Sequence, residues 1–309
     1  MPETKALCAR AALRLTPAMR VLIIGPGYVG LELGRQLVGL GHEVFGLRRS
    51  GDRSGELRAA GIKALMGDIT EPATLADLPK QYDWAVNCVS SSHGGADDYR
   101  RVYWQGARNL IAWLRESPPT KLVYTSSTGV YGQNDGSWVD ETSATEPAAE
   151  TSRVLVEAEN VFLGAARAHG FPAVVLRVAG IYGPGRSWYL HQFLAGEARL
   201  EGEGTRHLNM IHREDVAGCM VAALERGKSG EVYNAVDDEP VTQREFFLWL
   251  AERLGRELPP AAPASVALNR KRGVSDKRLS NRKLKAALGY TFRFPTFREG
   301  YADLLARLG

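Results

Sequence analysis

The string Gly25-Pro26-Gly27-Tyr28-Val29-Gly30 spaces three glycines as G-x-G-x-x-G. That spacing suits a phosphate-binding turn. The first glycine permits a tight turn, the second lets the backbone approach a pyrophosphate, and the third lets a helix pack close to a sheet. Free amides and the positive end of the helix dipole then face the phosphate charge. The spacing gains its weight from context, an apolar run before it and helical spacing after it. Farther on, where an NAD site carries a carboxylate for the ribose hydroxyls, this chain has Leu47-Arg48-Arg49-Ser50 and no carboxylate before Asp52. Guanidinium pairs with a 2′-phosphate that a carboxylate would repel. The reading is therefore NADP(H) in preference to NAD(H), against the alternative of solvated surface arginines. Asp68, in Gly67-Asp68-Ile69, could accept from an adenine amine or cap the turn before Thr70 and Pro72. Ile69 shares that edge. Asn87-Cys88-Val89-Ser90-Ser91 follows at a strand end, where ligands of open parallel sheets bind.

These residues need a frame. Val21 to Ile24 is a short apolar run ending at glycine, which reads as a buried parallel strand. From Tyr28 to Leu40 the apolar residues Val29, Leu33, Leu37 and Leu40 share one helical face, and Gly41 stops the helix. Further strands are expected over 43–47, 62–66, 83–89, 121–125 and 173–178. Helices are expected over 97–115 and 152–169. Strands alternating with helices mean an α/β fold, a Rossmann-type doubly wound parallel sheet. After Gly180 the rhythm breaks. A loop-rich stretch carries one helix from Trp188 to Ala195, then come a helix over 213–225 and a strand over 231–235. The rest is mostly helical. The expected domains are 20–180 plus 212–236 for the dinucleotide-binding domain, and 181–211 plus 237–309 for a smaller, mostly helical C-terminal substrate lobe. Residues 1–19 read as an N-terminal extension without fixed structure.

The strand-end motifs are more specific. Thr125-Ser126-Ser127-Thr128-Gly129-Val130-Tyr131-Gly132 and Leu176-Arg-Val178-Ala179-Gly180-Ile181-Tyr182-Gly-Pro184 together resemble the extended short-chain dehydrogenase/reductase family, the NAD(P)-dependent epimerase/dehydratase group. Asn209 to Val216, Gly230 to Asn234 and Ser280 to Gly289 fit that family in order. The resemblance implies that Ser127 works with a Tyr-x-x-x-Lys pair on the next helix. The tyrosine moves the proton of the reacting oxygen, and the lysine lowers its pKa and holds the ribose. Ser127 is present, but the pair is not: Thr151 stands at the tyrosine position and Leu155 at the lysine position. A shifted register gives Ala149 and Arg153. The resemblance is thus to the atypical branch. It places the nicotinamide near Ser127 and Val178 to Ile181, with Thr125 and Ser126 beside it. Tyr131 is the candidate to move the proton. Ser91, Tyr182, Arg186, His191, His212 and Arg278 are candidates toward substrate. Each competes with a bland reading: packing for the tyrosines, and a capping role for His212. The family also implies a homodimer through a helix pair.

The remaining composition bounds the function. The chain has 309 residues, 44% of them apolar, and a net charge of +4, ordinary for a globular protein. Cys8, Cys88 and Cys219 are far apart, which suits a reducing, cytoplasmic setting and no metal site. No apolar run is long enough for a membrane span. Residues 270–285 hold eight Lys or Arg against Asp276. Without interleaved aromatics the run reads as a solvated segment and not as a nucleic-acid site. The expected function is an NADP(H)-dependent oxidoreductase or isomerase acting on a sugar-nucleotide-like or small carbonyl substrate. The competing class is a dinucleotide-binding sensor or scaffold that lacks turnover.

Overall fold

The computed structural model describes residues 17–52, 54–263 and 275–308. The expectation for the N-terminal extension therefore lies almost wholly outside the described residues, as does Cys8. The elements run in chain order as follows: β1 (Arg20–Ile24), α1 (Tyr28–Gly39), β2 (Glu43–Arg48), α2 (Ser54–Ala59), β3 (Lys63–Met66), β4 (Trp84–Asn87), α3 (Gly95–Tyr99), α4 (Gly106–Leu114), β5 (Lys121–Ser127), β6 (Trp138–Val139), α5 (Glu150–His169), β7 (Ala173–Val178), β8 (Gly180–Tyr182), α6 (Trp188–Leu194), β9 (His207–Leu208), β10 (Met210–His212), α7 (Arg213–Arg226), β11 (Val232–Ala235), β12 (Val241–Thr242), α8 (Gln243–Leu254), β13 (Arg278–Leu279), α9 (Arg282–Leu288) and α10 (Phe297–Ala306).

Seven strands form one sheet in the order β11-β7-β5-β4-β1-β2-β3, and every pairing is parallel. Strand order reverses between β1 and β4, so a crevice opens at their carboxyl ends. The sheet is buried on both faces, which explains the unbroken apolar runs of β1 and β7. On one face α1 packs against α7, and α7 against α9; on the other, α5 packs against α3 and α4. Between α3 and α4 the helix widens into a π-helical turn, Arg100–Gln105. Such turns shift the side-chain register, and here the turn carries Val102 and Tyr103.

A second core gathers Tyr182, Phe193, Met210, Phe246, Phe297 and Tyr301 between α6, α8 and α10. Two reciprocal capping boxes, Thr242 with Glu245 and Thr296 with Glu299, fix where α8 and α10 begin. Leu284, Leu288 and Phe292 are buried in the main core with α7 and β11, because the apolar face of α9 covers the sheet side of the molecule. The segment before α9 is pinned by side-chain amides. Asn209 donates to the Lys277 carbonyl and accepts from the Leu279 amide, both at 2.9 Å. β13 pairs in parallel with β6.

Candidate active site

The glycine turn shows why each glycine is required. Gly25 sits at φ +75°, and a Cβ there would lie 2.8 Å from the Val89 backbone. A Cβ on Gly30 would lie 2.8 Å from Cys88 Sγ, so α1 rests directly on the β4 end. A Cβ on Gly27, by contrast, would meet only the Gly25 carbonyl, at 3.9 Å. Gly27 is also the N-cap of α1 and supplies no side-chain cap. The helix start thus offers backbone donors beside open space, the cradle a pyrophosphate fills.

A continuous groove runs past this turn. Its first section, about 290 Å³, is lined by Arg48, Arg49, Ser50, Asp52, Asp68 and Ile69. The middle section, also about 290 Å³, is lined by Tyr28, Val29, Cys88, Thr125, Leu155 and Met220 among others. Gly25, Gly27, Val89 and Ser90 border both sections. The third section, about 340 Å³, lies over the second core and is lined by Trp188, Tyr189, Arg206, Lys277 and Tyr301 among others. Ser127, Ala179, Gly180 and Ile181 border the middle and third sections. Together the first two sections make an elongated channel from Arg48 at one end to Ser127 at the other. Ser127 ends β5 and caps the turn that follows, its hydroxyl accepting from the Gly129 amide at 3.1 Å.

The description NAD dependent epimerase/dehydratase family is that of a sequence model matching residues 21–235. The chain belongs to that family. It is 28% identical to the Escherichia coli protein YeeZ over 284 residues, 89% of this chain and 96% of YeeZ. It is 27% identical to a 2-alkyl-3-oxoalkanoate reductase of Stenotrophomonas maltophilia, over 77% of this chain and 76% of the reductase. A solved protein of unknown function from Silicibacter pomeroyi superposes with a TM-score of 0.77 at 30% identity, over 94% and 99% of the two chains.

Against the epimerase/dehydratase pattern, α5 presents no amine to the groove. Leu155 lines the middle section and is buried in the main core. Arg153, the shifted-register alternative, turns outward and donates to the Ala148 carbonyl. Tyr131 requires a correction. It is 1% exposed, lines no section of the groove, and packs in the interior. Its hydroxyl donates to Asn234 at 2.8 Å and accepts from Arg177 at 2.9 Å. Burial raises its pKa. The short helical turn after Ser127 rotates it into the core, so it cannot reach a substrate.

His212 is also displaced from the substrate. It is fully buried, caps α7, and accepts from the Glu214 amide through Nδ1. Desolvation pushes its pKa down to about 4, which keeps it neutral. Ser91 donates to Asp98 and accepts from the Gly94 amide; that hydroxyl lowers the Asp98 pKa to about 2. His191 lies on the exposed face of α6, because Leu190 and Phe193 take the inward positions. Arg278 donates to the Gly136 carbonyl and lies over Trp138. None of these four lines the groove. Tyr182 and Arg186 do, in the third and middle sections. Asp68 caps the turn, accepting from the Thr70 amide at 2.8 Å, and also lines the first section. Pro26 instead packs inward toward Gly46. Cys88 lies beside the groove with its thiol turned to the Ile24 and Gly25 carbonyls, and burial pushes its pKa up to about 12.

The structure adds residues that the sequence reading missed. Tyr103 reaches the middle section from the π-helical turn. Arg206, His207, Asn209, Ser275 and Lys277 wall the third section. Arg206 is paired with Glu201 at 2.7 Å, and His207 with Asp276 at 2.8 Å. In the sequence Lys277 is one charge in a basic run that reads as solvated. Its approach to the site depends on the pairing of β13 with β6, which no local pattern announces. Among the described residues no group of three or more His, Cys, Asp or Glu is placed to hold a metal ion. No described helix is long and apolar enough to cross a membrane.

Proposed function

We propose that the chain is an NADP(H)-dependent reductase of small carbonyl compounds. The observation that carries this reading is the groove, whose dinucleotide-sized sections and separate substrate section meet at Ser127. Arg48 and Arg49 line the adenosine end, where guanidinium groups match a 2′-phosphate. Arg49 is aimed by a hydrogen bond to Ser92 at 3.1 Å. Asp52 is the one carboxylate beside them at the end of β2. The third section, about 340 Å³, lies at the small end of ligand cavities, which favours a compact carbonyl substrate.

When bound, the dinucleotide supplies the hydride. The chain's own part is to hold the carbonyl oxygen at Ser127, to seat the dinucleotide's phosphates on the α1 start, and to exclude bulk water with Leu155 and Val178. The test is a fluorescence titration with NADPH and NADH, repeated for Arg48→Ala and Arg49→Ala. Tighter binding of NADPH by about tenfold or more, lost in either variant, is the expected result. Equal or tighter binding of NADH overturns the 2′-phosphate reading, and binding of neither overturns the function. A second reading, a cofactor-responsive sensor without turnover, is favoured by Thr151 and Leu155 at the positions of the missing pair. Deuterium transfer from labelled NADPH to ethyl 2-methylacetoacetate excludes it.

A further inference from the structure

A carbonyl reduction needs an acid as well as a hydride, and α5 offers none. Of the groups lining the third section, five are phenol, imidazole or amine groups that can exchange a proton: Tyr182, Tyr189, Tyr301, His207 and Lys277. Tyr182 and Tyr301 stack on each other at 4.6 Å. The Tyr182 hydroxyl is driven against α10, where a Cβ on Gly300 would lie 2.0 Å from it. Burial raises the pKa of both phenols far beyond the neutral range. The Tyr189 hydroxyl accepts from Arg206 at 3.2 Å. His207 is engaged through Nδ1 with Asp276 at 2.8 Å.

Lys277 differs from all of these. It is 4% exposed, and no carboxylate among the described residues forms an ion pair with it. Its Nζ donates to the Tyr131 carbonyl at 3.1 Å and to Ser275 Oγ at 2.6 Å. An ammonium has three donors, so one is left for the cavity. The backbone carbonyl it holds belongs to the turn that begins at Ser127, which ties the amine to the same corner as the serine. We propose that the Lys277 ammonium is the acid that gives the substrate's carbonyl oxygen its proton, in place of the tyrosine that α5 lacks.

This rests on the carbonyl-reductase reading. Hydride arriving at the carbonyl carbon drives the π pair onto oxygen. The oxygen takes a proton from Nζ: one N–H bond breaks and one O–H bond forms. The carbonyl gains two electrons, which the reduced nicotinamide dinucleotide loses, and the neutral amine regains its proton from solvent through the open groove. The environment suits the task. Desolvation first, then the Arg206 charge, push the Lys277 pKa down to about 8, against the opposing pull of Asp276. Arg206 is balanced by Glu201 and His207 by Asp276. Among the described residues, Lys277 is thus the Lys or Arg of this wall without a carboxylate partner.

The test has two arms on the full chain. Competitive acetylation with acetic anhydride, read by peptide mass spectrometry across pH, reports the Lys277 amine directly. Reduction of ethyl 2-methylacetoacetate by NADPH is measured for the wild type, Lys277→Met, Lys277→Arg and His207→Gln. We expect half-maximal labelling of Lys277 near pH 8. We also expect a fall in kcat of about 100-fold or more in both lysine variants, with NADPH affinity unchanged and the alkaline limb of the wild-type pH profile gone. Arginine keeps the charge but cannot yield the proton, so retained turnover in Lys277→Arg makes Lys277 an anion anchor and overturns the proposal. Loss of the alkaline limb in His207→Gln alone, or labelling of Lys277 with a midpoint above pH 10, also overturns it. The labelling arm decides even if the ester is not turned over. Failure to bind NADPH at all counts instead against the reductase reading.

Discussion

Arg177 donates to both carboxylate oxygens of Glu159, at 2.7 and 3.1 Å, with both side chains sealed beneath the groove. Ser126 donates to the same carboxylate at 2.6 Å, and Arg177 continues to the Tyr131 hydroxyl. The pair joins α5 to β7 behind the strand ends that carry Ser127 and Val178. Removing one partner leaves an uncompensated buried charge, which costs about 3–5 kcal/mol. Glu159→Gln is therefore expected to lower the free energy of unfolding in urea by about that amount. The double change Glu159→Leu with Arg177→Met should recover most of it. A single variant as stable as the wild type would show that the pair is dispensable.

Tyr131 and Ser127 should separate cleanly. Tyr131→Phe leaves Arg177 and Asn234 each short of a partner and is expected to lose about 1–3 kcal/mol of stability, while NADPH affinity stays within twofold. Ser127→Ala is expected to cost about 0.5–2 kcal/mol of stability through the lost turn cap, and to lower turnover by about 10²–10³-fold, the scale of one lost donor at a reacting oxygen. Steady-state kinetics beside urea melts reads both. A Tyr131→Phe enzyme of normal stability but no turnover would reverse the assignment.

The contact between Gly30 and Cys88 predicts a second-site rescue. Gly30→Ala places a methyl 2.8 Å from the side-chain sulfur of Cys88, a clash that displaces the start of α1 and with it the phosphate cradle. NADPH binding should weaken by about tenfold or more. Cys88→Ala in the same chain removes the sulfur and should restore part of the loss, less than all because the Gly25 carbonyl lies 3.1 Å from the same methyl. No recovery in the double variant would place the constraint on that carbonyl and on Ile23 Cγ2, which also lies 3.1 Å from the methyl.

His212 makes stability depend on acid. Its folded pKa, about 4, lies below the ordinary imidazole value of 6.5, so the unfolded chain takes up a proton first as the pH falls. Its contribution is present above about pH 6.5 and is lost progressively as the pH drops toward about 4. His212→Asn keeps an acceptor for the Glu214 amide but does not titrate there. Thermal melts from pH 7 to pH 4 should show a shallower decline in the variant, and parallel declines would assign the acid sensitivity to other groups.

The parts of the fold that were legible in the sequence are those with local causes. The β1 run, the glycine spacing and the α1 face lie within neighbouring residues, so the cradle could be read directly, and Arg48 and Arg49 follow from the length of β2. His191 illustrates a signal present but underused: Leu190 and Phe193 at helical spacing already place it on the outer face of α6. Tyr131 could not be resolved locally, because its partners Arg177 and Asn234 come from β7 and β11. Lys277 was hidden most thoroughly. It stands in a run of positive charge that resembles solvated surface, and only the register of β13 on β6 turns it inward.

Synthesis of the chain adds a consequence of the three-section groove. Every residue bordering the first two sections lies at or before Met220, whereas the third needs Ser275, Lys277 and Tyr301. On the ribosome, the dinucleotide cradle can therefore be complete while the substrate wall is still untranslated. The nascent chain could acquire its cofactor before it can enclose anything for that cofactor to reduce, an order of assembly that would keep the reactive nicotinamide without a partner until the last helices have emerged.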